Sequence, residues 1–194
     1  MRVRRVAVYC ASSSQADRAY CDAATELGNL LADHDVTIVY GGGAVGPMGC
    51  LARGGLSRGG KVIGIIPQFM VDLEWAHPGL TELNVVKSMH ERKARMIDGA
   101  DAVIALPGGS GTLEELLEAI TLKRLGIYLR PIIVVNILGF FDPLLDLLHR
   151  CIVDRFMDSR HESMWSVVDQ PREVLSTIEN SPAWSFDARS FAAL

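Results

Sequence analysis

The sequence is short of most features that would build a metal, redox, membrane or nucleic-acid protein. Its four cysteines, Cys10, Cys21, Cys50 and Cys151, are scattered and form no C-x-x-C pair. Reduced thiols in a cytoplasmic protein are the simplest expectation. The five histidines show no H-E-x-x-H or other paired spacing, which argues against a catalytic zinc. No metal and no cofactor is expected. No apolar stretch approaches the roughly 20 residues that span a bilayer. The basic opening, Met1 to Arg5, leads into an apolar run that stops at Ser12-Ser13-Ser14. That run is too short for a signal peptide and reads as a first buried strand. Positive charge is not in excess either: 19 Lys and Arg against 23 Asp and Glu give a net charge of −4. A nucleic-acid footprint is therefore absent.

What the sequence does hold is a regular alternation. Short apolar runs at 6–9, 36–40, 62–66, 83–86, 102–106 and 132–136 are separated by helical patterns at 16–32, 47–57, 89–98, 112–125 and 143–156. Val167-Val168 reads as a short edge strand, and 172–178 as a last helix. Continuous apolar strands between helices predict a parallel sheet covered on both faces. The expected fold is a doubly wound, Rossmann-like α/β domain over residues 1–180. A tail, 181–194, carries Trp184, Phe186 and Phe191, either frayed or packed through its aromatics on a neighbour. Ligands of such sheets bind beyond the carboxyl ends of the strands.

Glycine turns follow two of those strands. Pro107-Gly108-Gly109-Ser110-Gly111-Thr112-Leu113-Glu114-Glu115 joins the apolar run at 102–106 to an amphipathic helix. Glycines there permit φ > 0 and close ligand approach. The bare N–H groups and the helix dipole favour an anion, with phosphate the natural occupant. Thr112-x-x-Glu115 also reads as a capping box. Gly41 to Gly46 matches G-x-G-x-x-G, but it follows the second strand, and no acid stands at the end of the next one to hold a ribose. It is either a second anion- or ribose-facing loop or a tight turn that lets the next helix pack closely. Gly55 to Lys61 resembles a P-loop, yet Val62 replaces the magnesium-binding Ser/Thr and a strand follows. Arg92 and Arg95 stand three apart on one helical face and suit phosphate; a solvated basic face explains them as well. Glu74 and Glu82 by themselves are ordinary surface acids.

Taken together, Met89-His90-Glu91-Arg92-Lys93 and Pro107-Gly108-Gly109-x-Gly111-Thr112-x-x-Glu115 resemble the Lonely Guy family. These are cytokinin riboside 5′-monophosphate phosphoribohydrolases, often mislabelled as lysine decarboxylases. The similarity extends over residues 6–155 and includes Val39-Tyr40-Gly41-Gly42-Gly43, Gly46-Pro47-Met48-Gly49 and Gly64-Ile65-Ile66-Pro67. The resemblance implies a homodimer that hydrolyses the N-glycosidic bond of an N6-modified AMP. It implies Arg92 and Glu115 as the catalytic pair. It implies a substrate lining of Glu74, Arg92, Lys93, Gly42, Gly43, Thr121 and the turn Gly108, Gly109, Ser110, Gly111, Thr112, Leu113, Glu114 and Glu115. Ala11, Pro47 and Ser110 stand where many members have Gly, Leu and Tyr, and the segment after Glu74 follows the family poorly. A general AMP nucleosidase and a non-catalytic nucleotide-binding module are the alternatives. A decarboxylase is not supported, because no lysine stands in a recognisable pyridoxal phosphate setting.

Overall fold

Val6 and Val8 point to one face of their strand and Ala7 and Tyr9 to the other, and all four are buried. A strand wet on neither face belongs in the middle of a covered sheet. The computed structural model describes residues 2–73 and 75–192 and puts that strand there. The strands are β1 (Arg5–Tyr9), β2 (Thr37–Tyr40), β3 (Val62–Pro67), β4 (Glu82–Val86), β5 (Ala102–Ala105), β6 (Ile132–Val135) and β7 (Ser166–Val168). They form one sheet in the order β4-β3-β2-β1-β5-β6-β7, parallel throughout.

The helices are α1 (Arg18–Asp33), α2 (Gly46–Ser57), α3 (Gln68–Asp72), α4 (Met89–Ile97), α5 (Ser110–Arg124), α6 (Asp142–Val153) and α7 (Val174–Asn180). Leu27 and Leu31 of α1, Leu51 of α2 and Val174 of α7 cover one face of the sheet. Met96 of α4, Leu116 and Ile120 of α5 and Leu148 of α6 cover the other. The sheet is therefore doubly wound, as the alternation predicts. The strand order reverses between β1 and β5, so the crevice that binds ligands in such folds opens beyond Tyr9 and Ala105. The short helix α3 was not legible: it buries no side chain and so carries no apolar stripe.

One expectation changes. The helix after the second glycine turn begins at Ser110, with Gly109 as its N-cap and no side-chain cap, so Thr112 and Glu115 form no capping box. Gly55 and Gly60 make no phosphate loop. A Cβ on Gly55 would meet Ile38 and Val62, and one on Gly60 would meet Ala32, so these glycines serve helix packing. The tail folds back on its own chain. Trp184 Nε1 donates to Lys123 O at 2.8 Å, Arg189 Nε donates to Leu125 O at 3.2 Å, and Phe191 stacks near His161.

Candidate functional site

The first turn of α4 is fixed by its own sequence. Ser88 Oγ accepts the Glu91 N–H at 3.1 Å, and Glu91 Oε2 accepts the Lys87 N–H at 3.0 Å. Glu91 then pairs with Arg95 at 2.8 Å on the outside of the helix. Arg92 turns the other way, to 5% exposure. The expectation that Arg92 and Arg95 share one basic face is therefore corrected: the Glu91 pair holds Arg95 at the surface, and Arg92 enters the protein.

A buried guanidinium needs partners. Arg92 Nε donates to Ile65 O at 3.1 Å, and Nη1 donates to Glu115 Oε1 at 2.6 Å. Glu115, on the second turn of α5, is itself 4% exposed. Burial pushes its carboxyl above the usual carboxylate range, and the Arg92 charge works against that rise. Among the described residues its Oε2 takes no hydrogen bond. The result is an oriented carboxylate with one oxygen held and one available, beside the buried Tyr9 and Cys10 at the sheet's switch point.

The turn before α5 supplies the second component. Gly108 is buried because Thr112 Oγ1 occupies the place of its Cβ, at 2.1 Å. Gly109 and Gly111 have nothing within 4 Å of a Cβ position, so their backbone is open to a ligand. The expected φ > 0 is not found: Gly108, Gly109 and Gly111 all lie outside the left-handed region. Openness, not handedness, is what glycine provides here. With no side chain capping α5, the first-turn amides remain available to an anion.

The Gly41–Gly43 turn lies against the same pair. Gly42 has φ +80°, and Gly43 O accepts the Tyr40 hydroxyl at 3.0 Å. The turn is also tied to the following loop: His77 N–H donates to Gly42 O at 2.9 Å, and Ala44 N–H to Trp75 O at 3.1 Å. Glu74 lies outside the described residues. Glu82, on the edge strand, pairs with Lys61 at 3.9 Å, away from this cluster.

Lys93 flanks the cluster. It pairs with Glu114, and with Glu118 at 3.3 Å. Its pKa is raised, chiefly by the Glu114 hydrogen bond. Leu113, Glu114 and Thr121 line a shallow outer groove of α5 with Leu117 and Glu118. Thr121 is exposed there, whereas Arg92 and Glu115 are buried. Gly41 and Ile65 complete the setting of Arg92; both stand in motifs read from the sequence, which gave neither a place in the site.

Fold and site define a class: a doubly wound α/β protein with an uncapped helix N-terminus beside a buried Arg–Glu pair. Comparison with known proteins narrows it. The family model described as "Possible lysine decarboxylase" matches residues 48–178. A probable cytokinin riboside 5′-monophosphate phosphoribohydrolase of Oryza sativa subsp. japonica is 43% identical over 182 residues, 93% of this chain and 80% of its own length. A cytokinin riboside 5′-monophosphate phosphoribohydrolase from the same plant is 44% identical, covering 80% of this chain but only 64% of the relative. One from Arabidopsis thaliana is 43% identical over 81% of this chain and 74% of its own. The chain belongs to the Lonely Guy family. In solved structures the fold recurs in the molybdenum cofactor carrier protein of Chlamydomonas reinhardtii, with TM-score 0.71 and 17% identity over 92% of this chain and 97% of that one. It recurs also in the molybdenum cofactor binding protein of Rippkaea orientalis, with TM-score 0.69 and 23% identity over the same shares. Identities this low show the fold alone.

Proposed function

We propose that this protein hydrolyses the N-glycosidic bond of an N6-modified adenosine 5′-monophosphate, releasing the free base and ribose 5-phosphate. The carrying observation is the buried Arg92–Glu115 pair beside the open amides of α5. The substrate phosphate sits on the Gly108–Thr112 backbone, which holds the ribose over Glu115, so remote binding energy serves the reacting centre. As the bond from C1′ to the base nitrogen breaks, positive charge grows on the sugar. Glu115 stabilises that charge or takes a proton from the attacking water through Oε2. Arg92 holds Oε1 and fixes the carboxylate. Gly42 and Gly43 face the ribose and base; Lys93, Ser110, Leu113, Glu114 and Thr121 line the substrate approach.

Thr121 and Leu113 reach a substrate only if a second copy covers α5, which supports a homodimer. Leu117, Leu125 and Ile127 on this side are 39%, 39% and 61% exposed, an apolar surface suited to an isologous interface. Four unbridged cysteines fit a cytoplasmic setting. Among the described residues, no helix is long and apolar enough to cross a membrane.

The test is base release from AMP and from N6-isopentenyl-AMP, side by side, by chromatography. Cleavage of the modified nucleotide, preferred over AMP, is the expected result. Equal cleavage would make the protein a general AMP nucleosidase, and binding without cleavage would make it a nucleotide-binding module.

A further inference from the structure

Away from the site, α1 and α2 meet along a seam of small residues. A Cβ on Gly54 would lie 2.5 Å from Thr25 O, and one on Gly28 would lie 2.4 Å from Leu51 O. At the two ends, Gly46 abuts Ser13 and Gly60 abuts Ala32, so the helices run parallel. Cys21 stands one turn before Thr25, and Cys50 one turn before Gly54. The same register sets Cys21 opposite Cys50 across the seam. Both are half-buried and unbridged. A disulfide needs Cα atoms within about 7 Å, whereas ordinary helix pairs have axes about 8–10 Å apart. A glycine seam is what closes that difference.

We propose that Cys21 and Cys50 form a reversible oxidation site, in which a peroxide converts the two thiols into an intrachain disulfide joining α1 to α2. Arg53 Nη2 donates to Cys50 Sγ at 3.2 Å, which sets a guanidinium against that sulfur. That sulfur attacks the peroxide oxygen, the O–O bond breaks, and Cys50 becomes a sulfenic acid with release of water. Cys21 then attacks the Cys50 sulfur; the S–O bond breaks, and the hydroxyl leaves with the Cys21 proton as a second water. Two thiols are oxidised and one peroxide reduced. Burial and the neighbouring Cys50 push the Cys21 thiol up to about 11, so Cys21 keeps its proton until the second step. Neither remaining cysteine competes: Cys10 is 1% exposed, and Cys151 lies on α6, across the sheet.

The experiment treats the folded full chain with hydrogen peroxide, alkylates the remaining thiols and maps the peptides by mass spectrometry without reduction. The expected product has lost two hydrogens, joins Cys21 to Cys50, and reverts with dithiothreitol. Cys21→Ser should stop at a Cys50 sulfenic acid trapped by dimedone, and Arg53→Leu should slow bridge formation at least about five-fold. Alkylation of both cysteines after peroxide, oxidation to sulfinic acid without a bridge, or a bridge to Cys10 or Cys151 would overturn the proposal. An unchanged rate in Arg53→Leu would remove Arg53 from it.

Discussion

A Cβ on Gly41 would lie 2.0 Å from Nη2 of Arg92. The guanidinium occupies the space that any larger residue at position 41 would fill, so the glycine turn after β2 and the Arg–Glu pair are one construction. Gly41→Ala should displace Arg92 from Glu115 and lower kcat by about 100-fold. The chain should remain folded by circular dichroism; wild-type turnover in that variant would break the link.

Glu115→Gln keeps the shape and removes the charge. Loss of a general base costs about 10²–10⁴-fold, so kcat should fall about 1,000-fold, and the melting temperature should fall too because the buried Arg92 charge loses its countercharge. Normal turnover would remove Glu115 from the mechanism.

Arg92→Ala strands a buried carboxylate, which costs about 3–5 kcal/mol in other proteins. Adding Glu115→Gln to it should restore part of that loss, since the unpaired charge is gone. Chemical denaturation of the two single variants and the double variant measures the coupling.

The two open glycines of the α5 turn separate binding from folding. Gly111→Ala meets no neighbour within 4 Å and should stabilise the helix by about 0.5 kcal/mol. A methyl group in the phosphate path should nevertheless raise KM about ten-fold with kcat less affected. Gly108→Ala collides with Thr112 and should destabilise the protein instead.

Lys123 has a pH signature. It is 2% exposed, and burial lowers its pKa to about 8 from the usual 10.5. Between those values the unfolded chain binds the extra proton, so stability should rise with pH from about 8 to 10.5. Below pH 8 the buried charge is a full penalty. Lys123→Met should flatten that rise and add about 2 kcal/mol at neutral pH, read from denaturation midpoints across pH. A slope unchanged in the variant would assign the effect elsewhere.

The sequence by itself determined the order of strands and helices, because burial on both faces writes continuous apolar runs and one-face burial writes a 3.6-residue stripe. It also placed the Pro107–Thr112 turn at a strand-to-helix junction, where open amides follow from glycine chemistry. The pairing of Arg92 with Glu115 reached the sequence reading only through family resemblance. From residue pattern alone Arg92 looked like Arg95, and Glu115 looked like half of a capping box. Tertiary structure decided both. Glu91 claims Arg95 at the surface, α5 starts at Ser110, and Glu115 meets a guanidinium 23 residues away in the chain. Local periodicity records which face of a helix is apolar; it does not record which charged residue the packing of two distant helices will enclose, or which glycine must stay bare to make room for it.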